Sequence, residues 1–123
     1  MKTSPLLLAV DRNRRNVELL TQFLGKEGYY LVTATTPEES DRVLMDADDI
    51  GLALIDIAGF ERSIWERCEG LRAKQIPFLV LSPEQSTGLQ QTSLTHGPRG
   101  VMIKPVVVKE LLGVIRSLLE VDE

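Results

Sequence analysis

Short apolar runs alternate along this chain with stretches whose apolar residues recur at helical spacing. Leu-Leu-Leu-Ala-Val at 6–10 is uninterrupted by polar residues, the pattern of a strand covered on both faces. Asn13 then stands where a helix cap is needed. Val17, Leu20, Phe23 and Leu24 fall on one helical face, and Gly25 or Gly28 is placed to end it. A second strand is predicted over 30–35. Thr36-Pro37-Glu38-Glu39 opens another helix with a hydroxyl cap, a proline in the first turn and acids behind it, and the pattern carries that helix to about Ala47.

Leu-Ala-Leu-Ile at 52–55 predicts a third buried strand, followed by a loop around Gly59 and a helix over 63–74. Pro77 opens a fourth strand over 78–81. A polar, weakly helical stretch at 85–96 stops at Gly97-Pro98. A fifth strand is predicted over 100–103 and a last helix over 107–119, with Leu111, Leu112, Ile115, Leu118 and Leu119 facing inward. Five strands alternating with five helices are βαβ units, and right-handed crossovers join such units into a doubly wound, five-stranded parallel sheet with helices on both faces. The fold class is α/β, and residues 1–123 are expected to form one domain.

Composition narrows the function classes. A chain of 123 residues suits one core, and 43% apolar with 26% charged residues argues against disorder. Fourteen Lys and Arg against eighteen Asp and Glu leave a formal charge of −4, which argues against a nucleic-acid footprint. One cysteine, Cys68, excludes an internal disulfide or a cysteine-based zinc cluster. One histidine, His96, excludes a multi-histidine metal site and makes a Ser-His-Asp triad a poor fit. The run at 6–10 is too short to span a bilayer and too close to the start for a signal peptide. The expectation is a soluble, cytoplasmic protein with a reduced thiol.

Ligands of parallel α/β sheets bind outside the carboxyl ends of the strands. Asp11 follows the first predicted strand, Asp56 the third, Ser82 the fourth and Lys104 the fifth. The topology therefore gathers two acids, a hydroxyl and a lysine on one edge. Carboxylates suit a hard divalent ion, and lysine and hydroxyl suit phosphoryl oxygens. Neither glycine-rich phosphate-loop pattern, G-x-G-x-x-G or G-x-x-x-x-G-K-[ST], occurs, which weighs against a flavodoxin-like enzyme or cofactor binder.

At these positions the chain resembles the CheY-like receiver domain of two-component response regulators. The matching pieces are Leu-Ala-Val-Asp at 8–11, Leu-Ile-Asp at 54–56, Leu-Val-Leu-Ser at 79–82 with Glu84 beyond, and Ile-Lys-Pro at 103–105. The resemblance implies a (βα)5 fold in which Asp56 is the phosphoacceptor, taking a phosphoryl group from a phosphohistidine. It implies Mg²⁺ held by Asp11, Asp56 and the backbone carbonyl of Ala58, with Lys104 neutralising phosphoryl charge and Ser82 reporting its presence. A cis Lys104–Pro105 bond is expected. The implied partners are a sensor histidine kinase or phosphotransfer protein and a downstream protein target, reached by protein contact and not through an attached output domain. No contact with nucleic acid or membrane is implied, self-association would use the last helix and fifth strand, and no catalysis is implied beyond the domain's own phosphorylation and dephosphorylation.

Two positions and one loop depart from the family pattern. The second acid after the first strand is replaced by Arg12, which should weaken or abolish Mg²⁺ binding and could bridge to Asp56 or Asp11 in the ion's place. Val101 replaces the usual aromatic residue of the fifth strand, and the loop Ile-Ala-Gly-Phe-Glu-Arg at 57–62 lacks the usual Met-Pro and Asp-Gly pieces. These changes open the alternative of a pseudo-receiver that binds protein without phosphorylation. Simpler roles also compete: Asp11 as a helix cap, Ser82 and Lys104 as turn residues, and Arg12, Arg14 and Arg15 as a solvated helix start. Trp65 and Phe60 read as packing residues, Cys68 as a small buried side chain, and His96 as a helix C-terminal residue.

Overall fold

Every residue of the third and fourth strands is buried, so both faces of the sheet centre must be covered by helices. The computed structural model describes residues 6–47, 49–58, 60, 63–82 and 97–119. Among them five strands and four helices occur in the order β1 (Leu6–Val10), α1 (Arg14–Lys26), β2 (Tyr30–Ala34), α2 (Pro37–Asp46), β3 (Leu52–Asp56), α3 (Ser63–Ala73), β4 (Phe78–Ser82), β5 (Gly100–Ile103) and α4 (Val108–Leu119). The strands lie in the order β2-β1-β3-β4-β5 and every pair is parallel. The expected helical stretch at 85–96, His96 with it, lies outside the described residues, as do Gly59 and Glu84.

Alternation along the strands decides which helix meets which face. Leu7, Leu52, Leu54 and Leu79 pack with Leu24 of α1 and with Leu111, Leu112, Ile115 and Leu119 of α4. Leu8, Val10, Ala53, Ile55, Phe78 and Val80 pack on the other side with Leu44 of α2 and Ile64, Cys68 and Leu71 of α3. Leu118, expected inward, is only half-buried at the margin of the first cluster. Cys68 is fully buried, and burial pushes its thiol up to about 12, well out of the reactive range. Trp65 and Phe60 lie partly buried against the second cluster, as packing residues.

Local chemistry sets the helix ends. The Asn13 side chain accepts from the Asn16 N–H at 3.3 Å, and Lys26 closes the last turn of α1. Beyond it Gly28 adopts φ +95°, a conformation that side chains with a Cβ rarely take, so it and not Gly25 turns the chain toward β2. At α2, Thr36 accepts from the Glu39 N–H at 3.1 Å. Glu39 reaches back to the N–H and hydroxyl of Thr35 at 2.7 and 3.1 Å, and these hydrogen bonds hold its carboxyl below the usual range. The Arg67 guanidinium joins α3 to α2 through both oxygens of Asp41, at 3.1 and 2.8 Å.

Ser40 in α2 is fully buried, and its hydroxyl has no hydrogen-bond partner. Removing an unsatisfied buried hydroxyl is neutral or favourable. Ser40→Ala is therefore expected to unfold at the same or a higher urea concentration, with a gain of up to about 1 kcal/mol. A loss of that size in equilibrium unfolding would contradict this account of the α2 packing.

Candidate phosphoryl site at the carboxyl edge of the sheet

Strand register brings the two acids together. Val10 of β1 is paired with Ile55 of β3, so the next residues along, Asp11 and Asp56, stand side by side where β1 and β3 end. This is the switch point of the sheet, where successive strands depart to opposite sides and a crevice opens. Asp56 shares the face of Leu54 and so points toward α1 and α4. Both acids are buried, at 4% and 1% exposure. The structure places Asp56 and Ser82 as the last residues of their strands, which run one residue further than the sequence pattern suggested, because each still pairs with its neighbour: Asp56 with Leu81 and Ser82 with Ile103.

Each carboxylate is tied by one oxygen to the backbone of its own loop. Asn13 N–H donates to Asp11 Oδ1 at 2.8 Å, and Ala58 N–H donates to Asp56 Oδ1 at 2.9 Å. The Lys104 ammonium forms an ion pair with Asp56 Oδ2. Oδ2 is buried and, apart from this ion pair, accepts no hydrogen bond. Lys104 starts from β5, two strands away from β3 at about 5 Å per strand step, and only a long side chain crosses that gap. The Lys104–Pro105 peptide bond is cis, as expected.

The pair is electrostatically strained. Burial is the main cause that raises the Asp11 carboxyl above its ordinary 3.8, and the charge of Asp56 and a hydrogen bond with it push the same way. The Asn13 N–H and the Asn16 side chain oppose the shift. Two adjoining recesses open here. One of about 530 Å³ runs from Asp11, Asp56 and Lys104 along an apolar wall that includes Leu19, Leu20, Val106 and Leu111. The other, of about 380 Å³, is lined by Asp11, Arg12, Asn13, Asn16, Ala58 and Lys104.

Of the residues singled out from the sequence, Asp11, Asp56, Ala58 and Lys104 therefore meet at one cleft. Ser82 lies on the same edge, where its carbonyl accepts from the Lys104 N–H at 2.9 Å, but it is wholly buried and lines neither recess. Arg12 is exposed at the mouth, with Arg14 and Arg15 exposed behind it. Asn13, not Asp11, caps α1, while Asp11 braces the loop before it. Asn16, which lines both recesses, was not singled out as a site residue; its one signal is a second asparagine three residues after the cap.

The residues present suit a divalent ion in kind: two adjacent carboxylates, one with a buried oxygen that accepts no hydrogen bond, in a cleft that Ala58 also lines. They suit it weakly in number. Among the described residues no group of three or more acidic, histidine or cysteine side chains is placed to hold a metal, and Arg12 opposes a cation at the mouth.

No family model and no curated protein matches the sequence. Solved structures do. A response regulator receiver protein from Pseudomonas putida superposes with a TM-score of 0.85 at 26% identity, over 95% of this chain and 99% of that one. A CheY-like response regulator receiver domain protein from Methanospirillum hungatei JF-1 gives 0.85 at 24% identity, over 96% and 95%. The chemotaxis protein CheY4 from Vibrio cholerae gives 0.81 at 22% identity, over 95% and 99%. The fold is that of CheY-like response regulator receiver domains.

Two outcomes follow from the site. Asp11 binds its proton more tightly folded than unfolded, so its contribution to stability is present below the ordinary carboxylate range and is lost as pH rises through the elevated folded value. Asp11→Asn, which keeps the acceptor for Asn13, is expected to raise the urea midpoint at pH 7, with the gain vanishing near pH 3.8 and below. Lys104→Ala leaves a buried carboxylate without its cation and should cost about 1–3 kcal/mol, most of it restored by adding Asp56→Asn. Additive losses in the double variant would contradict the ion pair.

Proposed function

We propose that this domain receives a phosphoryl group on Asp56 in two-component signalling and passes the signal on by protein contact. The observation that carries this reading is the meeting of Asp56, Asp11 and Lys104 at the switch point, within a fold shared with response regulator receivers. Asp56 is the nucleophile: an oxygen attacks phosphorus, the bond to the donor breaks, and the donor leaves with its electron pair. For a phosphohistidine donor the leaving group is the imidazole of a histidine kinase or phosphotransfer protein.

Lys104 pairs with the carboxylate before transfer and would follow the charge onto the phosphoryl oxygens afterwards. The Ala58 N–H holds the carboxylate in position. A divalent ion such as Mg²⁺ would be held by Asp11, Asp56 and the Ala58 carbonyl, and would supply charge neutralisation to the transferring group. Ser82, buried at the end of β4, would have to turn toward the cleft to serve as the hydroxyl that senses the phosphoryl group. No helix of the described residues is long and apolar enough to cross a membrane.

Two observations favour a second reading, a pseudo-receiver that binds protein without phosphorylation. Arg12 stands at the mouth where a cation would enter, and Val101, half-buried against the core, offers no aromatic ring to swing. Either form would use surfaces such as α4 and β5 for a partner or a second copy.

Incubation with acetyl phosphate, followed by intact-mass analysis, separates the readings. The expected result is a labile phosphoryl adduct in the parent protein and none in Asp56→Asn. No adduct at saturating donor, with or without Mg²⁺, would favour the pseudo-receiver.

A further inference from the structure

We propose that Arg12 supplies from the protein itself the positive charge that a phosphoryl-shaped anion at Asp56 would otherwise draw from a divalent cation, so that such an anion binds with little dependence on metal. The inference rests on Asp56 as the acceptor and adds how its site is neutralised. Asp56 ends β3, and the strand order puts β1 on one side of it and β4 and β5 on the other. Arg12 follows β1 and Lys104 follows β5, and both line the recess that also holds Asp11 and Ala58. The recess that holds Asp56 shares Asp11, Asn16 and Lys104 with this one, so a ligand on Asp56 would lie between the strand end that carries Arg12 and the strand end that carries Lys104.

Charge counting gives the same result. An aspartate at position 12 would lower the formal charge of the cleft by two, the charge carried by one divalent ion. Arginine there is thus electrostatically equivalent to an acid together with its bound metal. Its planar fork of donors also matches the oxygens, or fluorines, of a phosphoryl-like group better than a point charge does. The remaining carboxylates are less available to a metal than two acids alone suggest, since each has one oxygen committed to a backbone N–H. No third acidic ligand stands with them among the described residues.

The test uses beryllofluoride, in which an Asp56 oxygen donates a lone pair to beryllium and displaces its water, with no other bond broken. Binding is followed by ¹⁹F NMR in EDTA and in Mg²⁺. The parent protein is expected to bind in EDTA within about threefold of its affinity in Mg²⁺, a difference of less than one charge-assisted hydrogen bond. Arg12→Ala should weaken binding in EDTA by about 10- to 100-fold and much less in Mg²⁺. Arg12→Asp should bind only with Mg²⁺, and Arg12→Lys should keep part of the metal-free affinity. Arg12 is exposed, and circular dichroism recorded for each variant establishes that the folded forms are compared. Parent binding that requires Mg²⁺ and is lost in Asp56→Asn overturns this inference and leaves the acceptor reading standing, as does metal-free binding unchanged in Arg12→Ala. Absence of binding under every condition, or binding undiminished in Asp56→Asn, overturns both.

Discussion

Two buried carboxylates in contact are the constraint around which this molecule is arranged. Asp11 and Asp56 are neighbours because Val10 and Ile55 are paired, and that pairing is set by the buried apolar faces of β1 and β3. The register that builds the core cannot be kept without also forcing the acids together at its edge. Like charges out of water are costly, and the structure answers with the Lys104 ion pair, two backbone N–H donors and a raised Asp11 carboxyl.

The same rim shows how a shared fold accommodates a changed charge pattern. Arg12 is placed by the loop between β1 and α1, which Asp11 and Asn13 hold in shape through their own hydrogen bonds. Arg12 is exposed there, outside the packed core. Val101 is a change of another kind. It fills space at the margin of the α2–α3 side with an aliphatic group, and any signal carried from Ser82 and Lys104 into β5 would have to travel by small shifts of backbone and packing.

Much of the fold was legible from pattern alone. Continuous apolar runs marked β1, β3 and β4 because strands covered on both faces have no polar side, and Thr36-Pro37 and Asn13 marked helix starts because their side chains or ring meet the needs of a first turn. Strand ends were less legible. Asp56 and Ser82 belong to their strands by backbone pairing with residues distant in sequence, which side-chain polarity does not report. Gly25 and Gly28 were equal candidates to end α1 until φ separated them.

The four strand-end residues were recognisable because a parallel sheet brings equivalent ends to one rim wherever they lie in the chain. Their individual positions needed three dimensions. Lys104 reaches Asp56 while Ser82, nearer in the sheet, is fully buried and lines neither recess; Asn16 enters the cleft from the first turn of α1; Arg12 stands at its mouth. Residue types and their order settle which groups share an edge, since that follows from strand direction. Which of them touch depends on side-chain length, face and burial, and those exist only once the helices have closed over the sheet.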